Sequence, residues 1–125
     1  MRILWFITGN ARLGRNAKAV LGDPVSRLVL PATAYAEACW IVEHGRIPGL
    51  TVADVQTALI ADPRFTIYPL SRAVIDRSNS LAAIGEMHDR QSAATALLLA
   101  TPGQPVALLT HDQNITASGL VPTVW

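Results

Sequence analysis

A chain of 125 residues makes one compact domain, and two-domain organisations are excluded. Half of its residues are hydrophobic and 15% are charged, which rules out intrinsic disorder. Ten Lys and Arg against nine Asp and Glu leave a formal charge of +1, so no basic excess announces a polyanion partner, and any such partner has to be held locally.

The single cysteine, Cys39, excludes an intramolecular disulfide framework and a Cys-rich zinc site, and fits a reducing compartment. The apolar run Ile3 to Ile7 is shorter than the ~7–15 residues of a signal-peptide core, and Asn10 and Arg12 follow it without a small-residue cleavage site. The uncharged stretch Gln91 to Thr110 is interrupted by Pro102, Gly103 and Pro105, so it reads as helix, turn and strand rather than a membrane span. These features predict a cytoplasmic protein without a membrane segment. The high apolar content predicts surplus apolar surface covered by a second protein or another copy, as in a homodimer.

The apolar spacing predicts elements in the following order. Leu13 to Leu21 carries a helical stripe at 13, 17, 20 and 21, stopped by Gly22-Asp23-Pro24. Arg27 to Leu30 reads as a short strand. Ala34 to Val42 is apolar nearly all round and predicts a buried helix ending before Gly45. Thr51 to Ala61 is helical and ends at Asp62-Pro63. Phe65 to Leu70 alternates as a strand, and Ser71 caps a helix running through Ala73 and Ile75 to Ile84. A helix follows from His88 to Ala100. After the Pro102-Gly103 turn, Val106 to Thr110 is a continuous apolar run of the kind covered on both faces, and Val121 to Trp125 is a last strand.

Strands separated by helices imply right-handed crossovers and a mainly parallel sheet, hence an α/β fold. Ligands in such sheets bind beyond the carboxyl ends of the strands, which directs attention to residues after Leu30 and after Thr110.

Three carboxylates lie there. Glu37 is the only charged residue between Leu28 and Val42. An ionised acid on an apolar helix costs several kcal/mol unless a cation, a metal or good donors compensate it. A salt bridge to an Arg, or a narrow solvent-facing strip, would serve equally well. Asp89 opens a helix whose Ala93 and Ala96 permit close approach to a sheet, although capping and the helix dipole favour Asp at that place in any protein. Asp112 follows the strand Val106 to Thr110. Three acids at one sheet edge repel one another unless they hold a hard cation, and Mg²⁺ or Mn²⁺ with oxygen ligands is the usual solution.

The segments PATAYAEACW, HDRQSAATALLLA and PVALLTHD, with the ending VPTVW and the opening LWFITGNARLGRNAKAVLGDP, together resemble the PIN domain of VapC-type toxins of bacterial toxin–antitoxin modules. The resemblance covers nearly the whole chain. It implies a three-layer PIN-like domain over residues 1–125, with a mainly parallel central sheet flanked by helices. It also implies a Mg²⁺- or Mn²⁺-dependent endoribonuclease, with Glu37, Asp89 and Asp112 as catalytic and metal-ligating acids and a cognate antitoxin as partner. In the family an apolar strand ending Asp-Thr precedes the first helix. By this resemblance Met1 already lies inside that helix, and the domain is N-terminally incomplete, lacking the first family Asp. Ile3 to Ile7 reads equally as a short buried strand.

The implied chemistry is hydrolysis of an RNA phosphodiester, with metal ions polarising the phosphate and lowering the pKa of the attacking water. Arg12, Arg15 and Arg90 are the candidates for holding phosphate, and Thr110 for orienting Asp112 or a water. The competing reading is a shortened, catalytically inactive module that pairs with itself or with an antitoxin offering an Arg to the carboxylates.

Other signals are weaker. Gly9 to Gly14 has phosphate-loop spacing, but Arg15-Asn16 stands where Lys-Ser/Thr is required. His88-Asp89 and His111-Asp112 fit a helical His-Asp phosphohydrolase poorly, with only His44 in addition. Cys39, between Ala38 and Trp40, reads as a buried inert thiol, and Trp5, Trp40 and Trp125 as core or interface anchors.

Overall fold

The computed structural model describes residues 13–110 and 112–125. Ile3 to Ile7, Trp5, Arg12 and His111 lie outside the described residues. The elements are α1 (Arg15–Gly22), β1 (Leu28–Pro31), α2 (Ala32–Glu43), α3 (Val52–Ala61), β2 (Phe65–Tyr68), α4 (Arg72–Ser78), α5 (Met87–Leu99), β3 (Leu108–Leu109), α6 (Gln113–Ser118) and β4 (Thr123–Val124).

The architecture is mixed α/β and every described strand pairing is parallel. β1 pairs with β2 from Leu28 opposite Phe65 to Pro31 opposite Tyr68, and β3 pairs with β4 at Leu108–Thr123 and Leu109–Val124. Parallel neighbours require crossovers, and the chain supplies them as α2 and α3 between β1 and β2, and as α6 between β3 and β4. The expected single central sheet is not what these residues form. They make two two-stranded sheets, with β1 and β3 unpaired to one another. Both strands lie against α5. Leu28 and Leu109 also belong to one apolar cluster with Leu13, Ala17 and Leu21 and with the Trp125 ring.

Local sequence accounts for most boundaries. Thr51 caps α3 through a reciprocal box: the Asp54 N–H donates to its hydroxyl at 3.1 Å, and the Thr51 N–H donates to the Asp54 carboxylate at 2.9 Å. Ser71 caps α4 by accepting from the Val74 N–H. That helix stops at Ser78, well short of the expected Ile84. The Ser78 hydroxyl donates to the Ile75 carbonyl, and 79–84 turn back through Leu81 N–H to Ser78 O and Ile84 N–H to Leu81 O, which replaces the helical ladder with successive turns.

Helix α2, expected to be buried all round, buries only Ala38 and Val42 fully and leaves Trp40 50% exposed. Its apolar composition exceeds what one neighbouring layer covers. The strand expected over Val106 to Thr110 shortens to Leu108–Leu109 because β4, its single described partner, offers only two paired residues. Helix α6 is absent from the expected elements. Asp112 as its cap and Gly119 at φ +65° as its left-handed stop are the signals for it.

Arg64 ties α1 to the start of β2. Its guanidinium donates to the Leu21 and Asp23 carbonyls at 2.8 and 2.6 Å and pairs with Asp62 at 2.7 Å. That hydrogen bonding holds the Asp62 carboxyl below its usual value.

Gly14, before α1, lies against the last residue. A Cβ there would stand 2.5 Å from the Trp125 carbonyl carbon and 2.6 Å from its Cδ1, and the Asn16 N–H donates to the Trp125 carbonyl at 3.2 Å. Gly14→Ala is therefore expected to push Trp125 off its cluster and cost about 1–3 kcal/mol, the usual range for overpacking. The urea midpoint of the variant against the parent checks it.

Candidate functional site

Helix α2 begins where β1 ends, so Glu37 is carried in the second helical turn beyond the carboxyl end of a parallel strand. Helix α5 meets it from the other side. Thr33 donates its hydroxyl to the Gln91 side-chain oxygen at 2.7 Å, and the His88 Nδ1 lies 3.2 Å from Glu37 Oε1 and 3.0 Å from Glu86 Oε1. Among the described side chains, the partner found beside Glu37 is therefore a histidine rather than an Arg. Glu37 is also less buried than its surroundings in the sequence suggest, with a side chain 38% exposed.

Glu86 is a residue that sequence reading missed. It is the N-cap of α5, accepting from the Asp89 N–H at 2.8 Å. Only its place three residues before Asp89 could have signalled this, and Glu is not a preferred cap. Burial acts to raise its pKa, but the backbone N–H groups of His88 and Asp89 and the His88 ring outweigh it and hold the carboxyl below the ordinary 4.5. A lowered acid stabilises the fold above its unfolded pKa, and the benefit disappears as pH falls through the native value. The stability difference between the parent and Glu86→Gln should thus be present just above about pH 5, a little over the ordinary value, and vanish in stronger acid. Urea unfolding at stepped pH measures it.

Asp89 follows His88 in the first turn of α5, where the helix dipole favours negative charge. The buried Ala93, Ala94 and Ala96 seat the helix closely, as expected from its small residues. Asp112 follows β3 and caps α6: its Oδ1 accepts from the Asn114 and Ile115 N–H groups at 2.8 and 3.3 Å. Thr110 is 2% exposed, and its hydroxyl accepts from the Asp112 N–H at 3.1 Å, so it positions the Asp112 segment. Asp112→Asn is expected to keep the cap, because Asn and Asp serve equally there, whereas Asp112→Ala should lose about 1 kcal/mol. Thermal unfolding of the pair separates the two.

The junction holds Glu37 within reach of the first turn of α5. The expected convergence of Glu37, Asp89 and Asp112 goes no further than that: among the described residues no group of three or more His, Cys, Asp or Glu side chains could hold a metal ion. Glu37 lies beside His88, and Asp112 accepts the cap hydrogen bonds of α6.

Of the expected phosphate-binding residues, Arg15 is exposed in the first turn of α1. Arg90 turns back instead. Its Nε donates to the Ile84 carbonyl and its Nη2 reaches the Ala82 carbonyl at 3.5 Å, so it fastens the turn before α5. Cys39 is a free, half-buried thiol.

A separate groove of about 700 Å³ opens between α3 and β2, lined by Tyr35, Gln56, Leu59, Ile60, Asp62, Pro63, Phe65 and Ile67. It is mainly apolar and contains none of the three acids. No helix among the described residues is long and apolar enough to cross a membrane. Comparison of the chain with protein-family descriptions, with curated proteins and with solved structures finds no match in any of the three.

Proposed function

We propose that this protein is a metal-dependent ribonuclease toxin of the VapC type, a three-layer PIN-like domain that hydrolyses RNA phosphodiester bonds. Glu37, Asp89 and Asp112 are its acids, and a cognate antitoxin and a second copy of the chain are its cytoplasmic partners. The resemblance of PATAYAEACW, HDRQSAATALLLA and PVALLTHD to that family suggests the reading. The observation that carries it is the junction of α2 and α5, where Glu37 meets His88 one residue before Asp89.

Hydrolysis of a phosphodiester by water needs no side-chain nucleophile, so the roles of this chain's residues are binding and charge. Mg²⁺ or Mn²⁺ is the ion the family would use, and the described side chains alone do not make a complete ligand set for it. What they supply is negative charge at the start of α5 and beyond β3, with Arg15, and Arg12 outside the described residues, left to bind phosphate.

The second reading is a non-catalytic module that binds a partner protein. The apolar groove at Ile60, 85% exposed, and Ile67, 44% exposed, favours it. Calorimetric titration of the full chain with Mn²⁺ separates them. Binding that is lost in Glu37→Gln supports the nuclease, and the absence of binding supports the module.

A further inference from the structure

Helix α2 carries a second feature on the flank that bears Glu37. Residues 37, 40 and 44 stand three and seven apart, a spacing that aligns them on one helical stripe. Trp40 is not among the side chains of the apolar cluster that Ala38, Ile41 and Val42 join, and half its surface is in solvent. The His44 ring stacks on it with centroids 4.0 Å apart and planes inclined by 26°. The His44 Nδ1–H donates to the Trp40 carbonyl at 2.8 Å, which fixes the imidazole in place. Just past the helix, the exposed Arg46 brings its guanidinium carbon to 5.5 Å from the Trp40 ring centroid. A large apolar side chain left outside the core is thus held in a rigid stack of two aromatic rings and a cation.

We infer that Trp40, His44 and Arg46 form a platform for single-stranded RNA running along α2 toward Glu37. The choice of RNA rests on the ribonuclease reading above. The chemistry is that of single-strand binding surfaces: aromatic faces continue the stack of the bases, and a guanidinium takes a phosphate or stacks on a base. A stack already ordered by its own hydrogen bond loses little freedom when a base joins it. From residue 37 to residue 44 the helix rises about 10 Å, so a strand stacked at His44 reaches the acidic junction without bending away. Glu43 stands three residues after Trp40, as Glu37 stands three before it, so the two acids flank the ring on opposite sides and the phosphates are left to Arg46.

The test is fluorescence anisotropy of a labelled single-stranded oligouridine with the full chain in EDTA, which reads binding without cleavage. Trp40→Ala should weaken binding about tenfold or more, while Trp40→Phe keeps most of it. Arg46→Ala should reduce the salt dependence by about 0.7 in the logarithmic slope, the share of one single-strand phosphate. Thermal melts establish that each variant is folded, and Trp40→Phe with Arg46→Ala carry the test if Trp40→Ala is not. Parent-like affinity and salt slope in the folded variants would overturn the platform, as would a parent that does not bind oligouridine. A parent that binds through Trp40 and Arg46 but does not cleave RNA with Mn²⁺ supports the platform and removes the nuclease reading instead.

Discussion

Asp89→Asn is expected to lower Mn²⁺-dependent RNA cleavage by about 10²-fold or more, the scale of removing a group that stabilises developing charge, while the protein stays folded. The substitution keeps size and shape and removes one negative charge. Its structural cost includes the helix-dipole contribution of an acid in the first turn of α5, about 0.3–1 kcal/mol. The cap of α5 survives, because Glu86 accepts from the Asp89 backbone N–H, which the substitution leaves in place. Cleavage rates of parent and variant at equal folded concentration check it. Unchanged cleavage in both Asp89→Asn and Asp112→Asn would remove the catalytic assignment. Asp112→Asn is an equally clean probe, since the α6 cap tolerates Asn.

Ile84→Ala should be the most damaging single change to stability, at about 2–5 kcal/mol. Ile84 is fully buried, among the largest side chains that are, in the cluster that joins Val74, Leu81, Ala93, Ala94, Ile115 and Val121. It sits in the turns between α4 and α5, so its loss opens a cavity where three elements meet. Its backbone is held on both sides, with its N–H donating to Leu81 O and its carbonyl accepting from the Arg90 guanidinium. A backbone fastened in this way is poorly able to collapse into the space, which places the cost toward the upper part of the range. Chemical denaturation of the variant measures it, and a loss below 1 kcal/mol would contradict the packing described.

Helix stripes and caps were legible in the sequence because they depend on neighbours in the chain. Leu13, Ala17 and Leu21 do face one cluster, and Ser71 does cap its helix. What failed was set by distant parts of the chain. The apolar run at Val106 to Thr110 predicts cover on both faces, yet a strand extends only as far as its partner, and β4 pairs with two residues. Among the described residues β1 and β3 do not pair, an outcome that neither strand's own sequence encodes. At the site, Asp89 was visible as an acid near a helix start, and that bland reading describes its observed place well, whereas Asp112 was read only as following a strand and its capping of α6 was not foreseen. The pairing of Glu37 with His88 was not visible, because 51 positions separate them and only the packing of α2 on α5 brings them together. Trp40 was read as a core or interface anchor, and at 50% exposure it does not serve the core of this chain.

We propose that the acids at the junction of α2 and α5 serve RNA hydrolysis. Incubating the full chain with single-stranded RNA, with Mn²⁺ and with EDTA, tests it most directly. Cleavage is expected with Mn²⁺, none with EDTA, and none above background in Glu37→Gln or Asp89→Asn. Mn²⁺-supplemented parent protein that cleaves no faster than Asp89→Asn would contradict it.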